Sequence, residues 1–206
     1  AGKAHAVYMA SSSVDVTTSI FTDGVLAAGV GLGIKRNGYA KKEPTEGDSI
    51  IGICTSSTAG IGIDIYSKVI LEDMRNGVND YIEELDEIAG EAMITPPPNY
   101  ANLIQKLYDS FDVKDIIPIS KLGLVPDIAA VTGGEDKIKI QPSDWEYPKI
   151  TKLMQKEANL TDDFIIKHFN AGIGLAIIVD EKVELPILLE LNEMGVEAYS
   201  IGKIIK

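Results

Sequence analysis

The chain has 206 residues, 45% of them hydrophobic and 24% charged. These are ordinary values for a globular protein, and the length suits one large domain or two small ones. No apolar run reaches the ~18 residues that a membrane span needs, so no membrane partner is expected. Thirty-one acidic residues against nineteen basic ones leave a net charge of −12, which argues against nucleic acid, whose phosphates call for Lys and Arg.

In chain order, the first sixty residues read as strands. Ala4 to Ala10 is apolar, Ser11 to Ser19 is rich in Ser, Thr and Val, and Val25 to Ile34 is small and apolar with three glycines. A charged loop follows from Lys35 to Gly47, and Ser49 to Thr55 reads as a buried strand. Apolar spacing then predicts helices over Ile61 to Met74 and Asp80 to Met93, with a break at Thr95-Pro96-Pro97-Pro98. Tyr100 to Phe111 is a third helix. Ile116 to Ile119, Ile128 to Val131 and Lys137 to Ile140 are strand candidates, and Pro148 to Ala158 and Thr161 to His168 are helices. Leu175 to Asp180 is a strand, Leu185 to Met194 a helix stopped by Gly195, and Ala198 to Ile205 the last strand. The expected fold class is α/β (α+β), a mixed sheet covered by helices.

Few side chains stand out chemically. Cys54 is the single cysteine. It sits in an apolar run without a nearby base and reads as an inert core residue of a reducing, cytoplasmic compartment. The N-terminus shows no basic stretch followed by an apolar core, so no signal peptide is expected. His5 and His168 are the only histidines; no Cys/His spacing suggests zinc, and no acidic pair singles itself out for a metal. The acidic run from Glu83 to Glu87 reads as a solvated helix face. Three glycine-bearing segments have two readings each, a plain turn or a place where backbone meets an anion. Ser56-Ser57-Thr58-Ala59-Gly60 lies between a strand and a helix, the geometry for an anion at a helix N-terminus. Thr132-Gly133-Gly134 lacks the Lys-Ser/Thr of a P-loop, and Phe169-Asn170-Ala171-Gly172 joins a helix to a strand.

Trp145, Pro148, Ile150 and Leu153, then Phe169-Asn170-Ala171-Gly172-Ile173-Gly174, then Glu197-Ala198-Tyr199-Ser200-Ile201-Gly202 carry a resemblance. In order and spacing they resemble the C-terminal domain of the aminoimidazole ribonucleotide synthetases, also called phosphoribosylformylglycinamidine cyclo-ligases. Thr95-Pro96, Asp112-Val113-Lys114, and Gly47-Asp48 before Ile50-Ile51-Gly52-Ile53 fit the same pattern. The resemblance implies two parts: residues 1–46, a remnant of an N-terminal domain, and 47–206, a cyclo-ligase-like C-terminal domain. It implies ATP-dependent closure of the imidazole ring of formylglycinamidine ribonucleotide in purine biosynthesis. There an amide oxygen is activated by phosphoryl transfer and attacked by a ring nitrogen.

The resemblance further implies ATP and Mg2+ as cofactors, a small-molecule ribonucleotide as ligand, and a homodimer or a complex with a chain supplying the missing domain. Carried over by position, Ser56, Ser57, Ser120, Gly123, Asn170 and Gly172 are the expected substrate-binding residues, the serines and Asn170 holding phosphate or amide and the glycines allowing close approach. The family's glycine-rich loops are rewritten here. Its Ser-Ser-Gly-Leu-His-Ser-Asn-Gly turn falls near Thr55 to Ile63 without His or Asn, and its His-Ile-Thr-Gly-Gly-Gly loop falls on Pro118 to Gly123. The ATP-binding stretch is echoed only by Asp23-Gly24-Val25. Two alternatives stand beside the cyclo-ligase: a non-catalytic homologue acting as a binding or assembly partner, and another ATP-dependent relative such as a thiamine phosphate kinase, selenophosphate synthetase or hydrogenase maturation protein.

Overall fold

The computed structural model describes residues 42–119 and 122–206. The strand readings before residue 41 lie outside the described residues, and so does Ser120. Lys41–Lys206 forms one compact unit.

Strand β1 (Ser49–Cys54) is apolar and almost wholly buried, as a central strand must be. It lies between β6 (Ile173–Val179) and β7 (Ala198–Ile204). Strands β4 (Val113–Pro118) and β5 (Ile138–Ile140) form the edges, giving the order β4-β6-β1-β7-β5. Each of the four pairings is antiparallel. The period-two alternation of side chains splits the core between two faces. Ile50, Ala176 and Ile178 point to one face, which is covered by α1 (Ile63–Ser67), α2 (Ala89–Ile94), α4 (Leu124–Thr132), α5 (Lys149–Glu157) and α6 (Asp162–His168). Ile51, Ile53, Leu175, Ile177 and Val179 point to the other, against Leu103 and Leu107 of α3 (Ala101–Ser110) and Ile187 and Leu191 of α7 (Glu181–Glu193). Helix α1 runs on into a π-helical turn over Lys68–Asp73.

The local signals act where they were read. The Thr161 hydroxyl caps α6 by accepting from Phe164 N at 3.2 Å, ahead of Asp162 and Asp163 in the first turn. Two elements differ from expectation. Asp80 to Met93 is a hairpin followed by a short helix: β2 (Tyr81–Ile82) pairs with β3 (Glu87–Ile88), and only Ala89–Ile94 is helical. Asp86 has φ 59 at the turn, which a continuous helix forbids. The apolar residues Ile82 and Leu85 still reach the core from the hairpin, so a helical spacing is satisfied without a helix. The acidic run therefore decorates this turn rather than a helix face. Ile128 to Val131 is the second correction, lying inside helix α4. Gly133, with φ 88, is the left-handed C-cap of α4, so Thr132-Gly133-Gly134 ends a helix where a turn between strands was expected.

Candidate functional site

Because β1 and β4 both run antiparallel to β6, they finish at the same end of the sheet, where β6 and β7 begin. The segments that leave or enter the strands there are bonded to one another. Thr55 N donates to Gly172 O at 2.8 Å, Cys54 N to Glu197 O at 2.9 Å, and Ile119 N to Gly174 O at 3.0 Å. Leu124 N donates to Phe169 O at 2.9 Å, drawing the Gly123 loop to the same place. Trp145 Nε1 donates to Ala171 O at 2.8 Å and fixes the segment that leads into α5.

A cleft of about 810 Å³ opens at this end, within the size range of small-molecule sites. One wall is Cys54, Thr55, Ser56 and Gly172; another is Leu85 and Glu87 of the hairpin; a third is Glu146 to Lys152 at the start of α5, with Glu197 at the rim.

Of the residues expected to bind substrate, Ser56 and Gly172 line the cleft, Ser56 exposed. Ser57 and Asn170 lie behind it, buried. Asn170 Nδ2 donates to Ser57 O at 2.7 Å, and the Ser57 hydroxyl donates to Thr95 O at 2.5 Å while accepting from Ala59 N at 3.0 Å. These two side chains tie the loop after β1 to the loop before β6. At both glycines the chain itself makes the close approach. A Cβ on Gly172 (φ 78) would lie 2.4 Å from Pro148 Cδ, and one on Gly123 (φ 124) would lie 2.4 Å from Lys167 O.

The charges were not legible in the motif reading. Glu87 of the hairpin and Glu197 at the rim share the cleft with Lys149 and Lys152, which lie on the same wall as Glu146. Lys152 Nζ binds Glu146 at 2.9 Å, and this bond holds the Glu146 carboxyl below its usual range. Glu197 accepts from the Tyr199 hydroxyl at 3.0 Å. Among the described residues, Lys149 Nζ reaches only the Leu85 carbonyl, at 3.5 Å. Burial, and to a lesser degree Glu197, pushes the Cys54 thiol up to about 12. At neutral pH it is therefore a protonated wall group, not a nucleophile. The Tyr100 hydroxyl lies beside Thr55 beneath the cleft without a hydrogen bond of ordinary geometry.

Among the described residues no group of three or more His, Cys, Asp and Glu is placed to hold a metal ion. The cleft's carboxylates outnumber its ammoniums, and the glycines beside it are filled by the chain. These residues do not fit a magnesium–triphosphate.

No family model matches the chain. It is 31% identical over 162 residues to a phosphoribosylformylglycinamidine cyclo-ligase of Citrifermentans bemidjiense, covering 79% of this chain and 47% of that protein. With the cyclo-ligase of Syntrophus aciditrophicus it shares 30% over 181 residues, 87% of this chain and 52% of the relative. The chain thus spans about half the length of the curated relatives it matches. In fold it is similar to a thiamine-monophosphate kinase from Stenotrophomonas maltophilia (TM-score 0.57, 10% identity, 80% of this chain and 49% of that one). It is also similar to HypE, a hydrogenase maturation protein of E. coli (TM-score 0.52, 20% identity, 81% and 46%). Among the described residues no helix is long and apolar enough to cross a membrane. By sequence, then, this chain is a relative of the phosphoribosylformylglycinamidine cyclo-ligases, matched over about half of their length.

Proposed function

We propose that this chain is part of a cytoplasmic, ATP-dependent cyclo-ligase that closes the imidazole ring of formylglycinamidine ribonucleotide, and that its described unit seats the ribonucleotide. The convergence of the segments after β1 and β4 and before β6 and β7 on one cleft is the observation that carries this reading. The names of the relatives support the reaction class.

In this reading residues 1–46 are a remnant of an N-terminal domain and 47–206 the C-terminal domain. Ser56 and Gly172 touch the ligand. Ser57 and Asn170 hold the wall in shape, and Ser120 and Gly123 are kept as substrate-binding residues by their position in the motif alone. The unit's contribution is preorganisation: its polar backbone is already bonded before substrate arrives, so little reorganises on binding. The described residues do not fit ATP and Mg2+, so these belong to residues outside the described unit, on this chain or on a partner in a homodimer or mixed complex.

Calorimetric titration of the full chain tests this. Formylglycinamidine ribonucleotide is expected to bind on its own, before ATP with Mg2+ is added. Binding of neither, with a discrete partner complex in native mass spectrometry, overturns the reading in favour of an assembly role.

A further inference from the structure

Among the described residues, two opposite charges in the cleft lack partners that match them. Lys149 is exposed, and its ammonium meets only a carbonyl oxygen at 3.5 Å, the long limit of a hydrogen bond. It is also the first residue of α5, where the helix dipole repels a cation and a lysine is placed against preference. Its neighbour Lys152 is already neutralised by Glu146. Across the cleft, Glu87 on β3 is half-buried and makes no ion pair among the described residues. Half-burial removes part of the water that would solvate that carboxylate, so a cation brought by a ligand gains there. Leu85, Pro148 and Ile150 give the cleft between them an apolar lining.

We infer that the cleft is a site for a dipolar ligand, with Lys149 binding an anionic phosphate monoester and Glu87 accepting from a cationic amidinium. This rests on the ribonucleotide reading above and deepens it. Formylglycinamidine ribonucleotide carries both groups, whereas the amide analogue keeps the phosphate and lacks the positive charge. Glu87 would therefore be the residue that tells amidine from amide. Such discrimination is large when the site's own polar group is left unpaired by the wrong ligand.

Titration calorimetry on the full chain tests this with three probes: formylglycinamidine ribonucleotide, formylglycinamide ribonucleotide, and the dephosphorylated amidine nucleoside. The wild type is expected to prefer the amidine over the amide. Glu87→Gln should erase that preference by weakening the amidine about tenfold and the amide little. Lys149→Ala should weaken both phosphorylated probes about tenfold and leave the nucleoside unchanged, with Lys149→Arg restoring them. Both side chains are at least partly exposed, so the variants are expected to fold; their far-UV circular dichroism checks that. Wild-type binding of the ribonucleotide with both variants unaltered overturns this inference and leaves the proposed function standing. Failure of the wild type to bind any of the three overturns both.

Discussion

The two ends of the sheet are built from the same strands and treat their polar groups oppositely. At the end where β1 begins, Asp48 is 3% exposed and fully engaged. It takes the Lys114 ammonium at 2.6 Å and the Thr45 amide at 2.6 Å, and Lys114 also reaches the Thr45 hydroxyl at 2.7 Å. Backbone bonds from Gly47 N to Ile204 O and from Ile204 N to Asp48 O, 3.0 and 2.8 Å, close that end. At the end where β1 finishes, the backbone is equally well bonded, yet Lys149 and Glu87 are left to face a cleft. Saturation marks the end that holds the fold together, and residual capacity marks the end that can take a ligand.

The contrast is sharpest when a partner is removed from the closed end. Lys114→Ala strands a buried carboxylate and is expected to cost about 3 kcal/mol, or roughly 10 °C in Tm for a domain of this size, with ligand binding at the far end unaffected. A loss below about 1 kcal/mol in urea unfolding would mean that the closed end is not the anchor. Asn170→Ala leaves the buried Ser57 carbonyl without its donor and should cost about 2 kcal/mol. Because it frees the cleft wall, it should also weaken ribonucleotide binding by more than that stability loss explains. Equal melting loss with unchanged affinity would place Asn170 among purely structural residues.

Alkaline titration probes the cleft end by sign alone. The Cys54 thiol is raised from an ordinary value of 9.0 to about 12 in the folded chain. An unfolded chain thus releases that proton first, and stability falls as pH rises between about 9 and 12. Burial raises Tyr66 from 10.0 to about 12, adding to the decline over the upper part of that window. Cys54→Ser should flatten the decline from its lower edge and Tyr66→Phe from its upper one, read by urea unfolding at stepped pH. The smallest effect is expected from Lys152→Ala, which breaks an exposed pair with Glu146 and should leave the urea midpoint unchanged within error.

Much of this architecture was legible because the strongest signals are local. The buried strand at Ser49, the Thr161 cap and the stop at Gly195 depend on neighbours within a few residues. The hairpin over Tyr81–Ile88 was not legible, because Tyr81, Leu85 and Ile88 repeat at a spacing that helix and hairpin both allow. The left-handed Asp86 that decides between them leaves little trace in composition. Helix α4 was misread as a strand because Ile128 and Val131 lie in a short apolar run, although Pro126 near its start and Gly133 at its end are helix punctuation. At the site, position in a motif found Ser56 and Gly172. It did not find Lys149 or Glu87, which come together only when the hairpin folds over α5.

The strand order carries a consequence for biosynthesis. β1 at the centre of the sheet pairs with β6 and β7, residues Ile173–Val179 and Ala198–Ile204, and with no strand made in between. While a ribosome is still adding the intervening hundred or so residues, the apolar strand at the centre of the sheet has neither neighbour, and both its edges are free to pair with another chain. Closing such distant pairs is slow because loop entropy is lost before any contact is gained. A nascent chain stopped before residue 173 should therefore be aggregation-prone, and a holdase that shelters Ser49–Cys54 should raise the yield of folded protein more than any substitution on its surface.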